Sequence, residues 1–161
     1  IKAIDITDRP KDIFEEEFIL GDCTKPLEVA EVDVMLSLGG GIVMLSNIAE
    51  VVSHFEVVSE ALKKGGIYYT EFAQPFTPFE ICETEFEDSF LYKIVETVGT
   101  TKHRFHEFLI MKDGSTPQYS HSTLQTHFSV KTYESIAEEF GLFMYKKCGK
   151  FNESYMIFRK L

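Results

Sequence analysis

Residues 18–72 hold the pattern that most limits what this chain can fold into. Phe18-Ile19-Leu20 is an apolar run closed by Gly21-Asp22, and Val32 to Leu38 is a second that runs through Ser37-Leu38 into Gly39-Gly40-Gly41. Between Asn47 and Lys64 the period changes: Ile48, Val51, Val52, Phe55, Val58 and Leu62 recur at three and four residue spacing, the mark of an amphipathic helix. Ser46 or Asn47 can cap its start, and Gly65 is the expected stop after Lys63 and Lys64. Ile67 to Phe72 then returns as a strand. Short apolar runs of this kind read as parallel strands covered on both faces, and strand, crossover helix, strand implies a right-handed parallel unit. In such a sheet the carboxyl ends of the strands face one crevice, so a Gly-Asp and a glycine run at successive strand ends point to a single site built from several loops.

The flanks fit the same scheme. Ile1 to Asp5 is a short strand ending in an acid, with a turn at Thr7 to Pro10. Ser89 to Gly99, Thr101 to Lys112 and Tyr119 to Phe128 are rich in Thr, Tyr, Phe, Val and Ile and are split by Gly99-Thr100 and Asp113-Gly114. They read as antiparallel strands. A helix follows, capped by Ser129, burying Tyr133, Ile136, Ala137 and Phe140 and stopped by Gly141. Leu142 to Cys148 and Tyr155 to Arg159 form a last strand pair.

Composition narrows the partners. With 161 residues and 44% apolar content, the chain can bury a sizeable single core. A net charge of -10 argues against a nucleic-acid backbone as partner and for small molecules or proteins. Cys23, Cys82 and Cys148 are widely spaced and never in a CxxC pair, so neither a disulfide framework nor a zinc site is expected, and a reducing cytoplasm is the simplest home. No apolar run reaches the roughly 18 residues that cross a bilayer, so no membrane partner is expected.

Taken in order, these elements resemble the class I S-adenosylmethionine-dependent methyltransferases of the small-molecule type. The likeness covers nearly the whole chain and includes the segment His127-Phe128-Ser129-Val130-Lys131-Thr132-Tyr133. It implies an α/β, Rossmann-like sheet with an antiparallel terminal hairpin, and residues 77–128 as a β-rich insertion or lid. The family begins with a strand and a glycine-rich loop that nothing before Ile1 supplies. The expectation is one methyltransferase-like domain over 1–161 without its first strand, with that strand supplied in the native protein from before Ile1 or by a partner chain. Asp5 to Asp22 is also short for the family, so a reduced crossover is expected there.

The resemblance implies S-adenosylmethionine as cofactor and places its contacts. Asp5 would accept the ribose hydroxyls; as a plain strand-end acid it would only begin the turn with Thr7 and Asp8. Asp22 would accept the adenine amino group while the Cys23 amide donates to a ring nitrogen. The other reading of Gly21-Asp22-Cys23-Thr24 is an Asx turn, and both can hold together. Ser37, Leu38 and Gly39 would border the reacting methyl, or form a simple turn before the helix; no Gly-Lys-Ser/Thr follows to make a phosphate loop. Cys23 lacks a cationic neighbour and reads as a partly buried residue rather than a nucleophile.

His103, His106, His121 and His127 do not share a chelating face, so no metal is expected; an unperturbed imidazole suits proton removal at neutral pH, and nothing in the sequence picks which of them would be a general base. They read as exposed strand histidines with one or two cross-strand partners. Tyr68, Tyr69, Phe72, Phe76, Phe79, Phe86 and Phe90 form an aromatic cluster, mostly core, some of which would wall an acceptor pocket. The nearby Glu71, Glu80, Glu83, Glu85, Glu87 and Asp88 read as a solvated helix or loop face, whose field would also draw a cationic acceptor. The expected function is methyl transfer to a small-molecule oxygen or nitrogen, with homo-oligomerisation left open. The alternative is a non-catalytic relative serving as a binding or scaffold subunit.

Overall fold

Helix α1 (Ile48–Ala61) forms where the apolar period places it, and Val51, Phe55 and Val58 are fully buried along one face. Asn47 caps it: its side-chain oxygen accepts from the Glu50 amide at 3.0 Å, while Glu50 reaches back to the Ser46 amide at 2.6 Å. This reciprocal pair satisfies two of the amides a helix start leaves open. The computed structural model describes residues 3–5, 18–27, 29, 31–38, 41–72, 79–115, 119–150 and 153–161.

At its other end the helix stops earlier than the glycine suggests. It ends at Ala61, and strand β4 (Leu62–Glu71) begins at once, with Gly65 at φ 81° inside it. β4 runs parallel to β3 (Val32–Ser37), and their register jumps from Val32 opposite Leu62 to Val34 opposite Ile67. The extra β4 residues make a bulge. Its tightness explains the second glycine, because a Cβ on Gly66 would sit 2.8 Å from the Lys63 carbonyl oxygen. Lys63 pairs with Asp33 across the bulge at 3.2 Å. Lys160 donates to the Ser59 carbonyl and, at 2.8 Å, to that of Leu62, so the carbonyls at the end of α1 are not left bare.

The main sheet has the order β3-β4-β10-β9, with β9 (Leu142–Lys150) and β10 (Glu153–Lys160) forming the expected antiparallel hairpin. Helix α2 (Val130–Glu139), capped by Ser129 and closed by Gly141 at φ 71°, packs beside α1. Both helices cover the same face of the sheet. There Phe55 meets Phe158 edge-on at 5.4 Å, among Tyr68, Met156, Leu142, Tyr133 and Ile42. The expectation that the strand is covered on both faces is not met at β3 among the described residues: Val34 and Leu36, on the opposite face, are 56% and 59% exposed.

β1 (Ala3–Asp5) pairs in parallel with β2 (Phe18–Leu20) as a separate two-stranded sheet, Asp5 opposite Leu20. Among the described residues β1 pairs with β2 alone and β3 with β4 alone. A third sheet has the order β5-β6-β7-β8, all antiparallel, from β5 (Phe79–Glu85) through β6 (Ser89–Val98) and β7 (Lys102–Met111) to β8 (Tyr119–Thr126). The acidic stretch read as a helix or loop face is strand β5 up to Glu85. Ile81 lies opposite Ile94 and Glu83 opposite Tyr92, so cross-strand pairing overrides the low strand preference of glutamate.

Candidate functional site

Asp22 and Cys23 follow the carboxyl end of β2, and Ser37 is the last residue of β3. The Asp22 carboxylate makes the Asx turn: Oδ1 accepts from the Thr24 amide at 2.9 Å and from the Thr24 hydroxyl at 2.7 Å. The Lys25 amide closes the turn on the Asp22 carbonyl at 3.0 Å, and Lys25 Nζ lies 3.4 Å from Oδ2. These bonds, led by the Thr24 hydroxyl, hold the Asp22 carboxyl below the usual carboxylate range. One carboxylate oxygen therefore builds the turn and the other faces outward beside an exposed lysine. The turn and an adenine contact are compatible.

Cys23 is half-buried, and burial pushes its thiol up, with the negative charge of Asp22 acting the same way. A thiolate nucleophile is disfavoured. Its carbonyl oxygen accepts from His54 Nδ1 at 3.1 Å, and His54 Nε2 lies 2.7 Å from the Tyr68 hydroxyl. His54 and Tyr68 are both buried. Burial pushes the Tyr68 phenol up strongly, with the Thr70 and Ser37 hydroxyls acting the other way. The turn after β2 is thus joined through His54 of α1 to Tyr68 of β4 in one buried polar cluster.

Sequence reasoning gives no role to His54 or to the Tyr68 hydroxyl. A signal exists, since His54 falls on the apolar stripe with Val51, Phe55 and Val58, where a histidine must find partners or be avoided.

Of the other expected contacts, Asp5 ends β1 beside the strand that leads into Gly21-Asp22, but its side chain lies outside the described residues, as does Gly39. Leu38 is exposed. Gly41 opens a short 3-10 helix (Gly41–Met44), where a Cβ would sit 2.8 Å from Ser37 Oγ. The glycine run is thus more than a loose turn: at Gly41 it lets the chain pass over the Ser37 hydroxyl.

The third sheet touches this region. β8 lies against the 3-10 helix, and the Thr126 hydroxyl donates to the Ser46 carbonyl at 3.4 Å. Its histidines differ from the exposed set expected. His103 and His127 are buried with rings edge-on at 4.8 Å, and burial pushes His103 down. His106 is half-buried, 3.5 Å from Glu96, and His121 is exposed beside Thr123. No group of three metal-ligating side chains occurs among the described residues, and no helix there is long and apolar enough to cross a membrane.

No protein-family model matches the chain, and no curated protein matches it. Solved structures do. An S-adenosylmethionine-dependent methyltransferase from Clostridium acetobutylicum superposes with TM-score 0.78 at 12% identity, over 99% of this chain and 74% of that one. CalS10, an amino pentose methyltransferase of calicheamicin biosynthesis from Micromonospora echinaspora, gives 0.78 at 16% identity over 94% and 68%. DesVI from Streptomyces venezuelae gives 0.74 at 15% identity over 94% and 68%. The chain has the Rossmann-like fold of S-adenosylmethionine-dependent methyltransferases.

Proposed function

We propose that this chain transfers a methyl group from S-adenosylmethionine to an oxygen or nitrogen of a small molecule. The observation that carries the reading is the Asp22-Cys23 turn at the carboxyl end of β2, tied through buried His54 to Tyr68 of β4, in a fold shared with methyltransferases of small molecules. The donor set suits a nucleoside. Asp22 keeps an outward carboxylate oxygen for an exocyclic amine, the Cys23 amide adjoins it, and Asp5 ends the neighbouring strand where ribose hydroxyls would lie. Ser37, Leu38 and Gly39 would border the methyl group.

When bound, S-adenosylmethionine would supply an electrophilic methyl carbon to the acceptor lone pair, with S-adenosylhomocysteine as the leaving group and the acceptor proton passing to a base or water. The protein's part is to hold the two reactants in line and keep water out. The sheet β5–β8, docked against the 3-10 helix after β3, is the element suited to shape the acceptor side.

Titration calorimetry of the intact native protein with S-adenosylhomocysteine tests the reading. Saturable binding is expected, and Asp5→Ala should weaken it by about 1.5 to 3 kcal/mol, the range for a charged acceptor. A folded protein that shows no saturable binding would instead be a binding or scaffold subunit. Substitutions on the inward face of residues 89–128 should alter turnover or acceptor choice while leaving S-adenosylhomocysteine affinity nearly unchanged; His103, His106, His121 and His127 changed singly to Gln test for a histidine base, and normal activity and pH dependence in all four would rule one out.

A further inference from the structure

His54 lies outside every role given above, yet its ring touches both the Cys23 turn and the centre of the sheet. Its hydrogen bonds settle its tautomer. A carbonyl oxygen only accepts, so Nδ1 carries the proton directed at Cys23. In the neutral ring Nε2 then accepts, and the Tyr68 hydroxyl must donate to it. A directed relay follows, from Tyr68 of β4 through His54 of α1 to the Cys23 carbonyl after β2.

We infer that His54 is a positioning residue that locks the Gly21–Cys23 turn, and with it the adenine end of the cofactor site, to Tyr68 of strand β4 through its Nδ1–H tautomer. The inference rests on the methyltransferase reading and adds to it a residue that touches no cofactor atom. Three observations support it. The ring is 4% exposed, so water cannot replace either partner. Both ring nitrogens are engaged, at 3.1 and 2.7 Å, so the ring cannot flip without losing both bonds. The ring is also wedged among aromatic neighbours, with centroids 5.9 Å from Phe55 and 5.6 Å from Tyr68. Burial favours the neutral form on which the relay depends. An isolated neutral imidazole favours the proton on the other nitrogen, so the arrangement is one the fold has to impose.

The test pairs a spectrum with two variants, all on the intact native protein. Long-range nitrogen–proton correlation on histidine-labelled protein should show His54 protonated at Nδ1 and bare at Nε2 at neutral pH, and its Nδ1 signal should shift on saturation with S-adenosylhomocysteine. Asparagine can place an amide where Nδ1 sits and keep the Cys23 bond; glutamine reaches toward Tyr68 and loses it. His54→Asn should therefore bind S-adenosylhomocysteine within about twofold of wild type, while His54→Gln binds about fivefold to tenfold more weakly, the loss expected of one net hydrogen bond. A merely space-filling histidine would instead rank the variants by melting temperature. An Nε2–H tautomer overturns the inference whatever the variants do. Equal affinities of the two folded variants overturn it as well, with the methyltransferase reading intact. Absence of binding by folded wild type overturns that reading and the cofactor part of the inference together. If a variant does not fold, the wild-type tautomer and its response to S-adenosylhomocysteine decide.

Discussion

Replacing Asp22 by asparagine separates the two jobs given to its carboxylate. Oδ1 is held by the Thr24 amide at 2.9 Å, a donor that only an oxygen can satisfy, so the substituted side chain must keep its carbonyl there. Its NH2 group then takes the place of Oδ2. The turn survives. What the protein itself loses is a charge-assisted contact to Thr24 and the pair with Lys25, which at 3.4 Å and 38% exposure of the Asp22 side chain contributes no more than about 1 kcal/mol. An adenine amino group, by contrast, would now meet a second donor. Losing the charged acceptor costs about 1.5 to 3 kcal/mol of binding, or roughly tenfold to 150-fold in affinity. Asp22→Ala differs in kind, since it also strips the Thr24 amide and hydroxyl of their partner and should lower stability by about 1 to 2 kcal/mol. Urea unfolding of wild type and both variants, run beside calorimetry with S-adenosylhomocysteine, reads the two effects apart. If Asp22→Asn binds as tightly as wild type, Asp22 is a turn former only. If Asp22→Asn is as unstable as Asp22→Ala, the assignment of Oδ1 to the turn is wrong.

Other consequences follow from the core and the buried histidines. Phe55→Ala should lower stability by about 3 to 5 kcal/mol in urea unfolding, since the ring is fully buried and packs edge-on against Phe158 and Tyr68. Gly41→Ala should destabilise by about 1 to 3 kcal/mol through the 2.8 Å approach of its Cβ to Ser37 Oγ; adding Ser37→Ala should recover part of the loss, and strict additivity would refute the clash. Burial depresses the pKa of His54 and of His103 below 6.5, so the unfolded chain binds more protons in that range. Their contribution to stability is complete above about pH 6.5 and is lost as pH falls toward the folded values. His54→Asn should flatten this slope without abolishing it, and an unchanged slope in pH-dependent urea unfolding would contradict the neutral buried ring.

What the sequence reveals and what it hides divide along a physical line. Period and punctuation are local, so α1, α2, the hairpin β9-β10 and the strands on either side of the crossover can be read directly. Asn47, Ser129 and Gly141 act where capping chemistry says they should. Features decided by distant partners are not legible in the same way. The end of α1 moves back to Ala61 because Leu62 is drawn onto Val32 and Lys160 covers the last carbonyls, neither of which is near in sequence. β5 becomes a strand because β6 offers Ile94 and Tyr92 beside it, although its own glutamates suggest a solvated surface. The site shows the same division. Asp22 and Ser37 stand at strand ends, where topology alone gives them meaning, whereas His54 looks like one polar residue on an apolar helix face. Only the fold brings Cys23, 31 positions away, and Tyr68, 14 positions away, onto its two nitrogens. Yet the anomaly is visible in principle. A titratable ring on a stripe that must be buried costs several kcal/mol unless both nitrogens are satisfied, so its place there requires partners from other elements. The strand ends on either side of the crossover helix are the nearest source of such partners, and they are also where this fold binds its ligands. A lone histidine on the buried face of such a helix is therefore a pointer to the site from within the core.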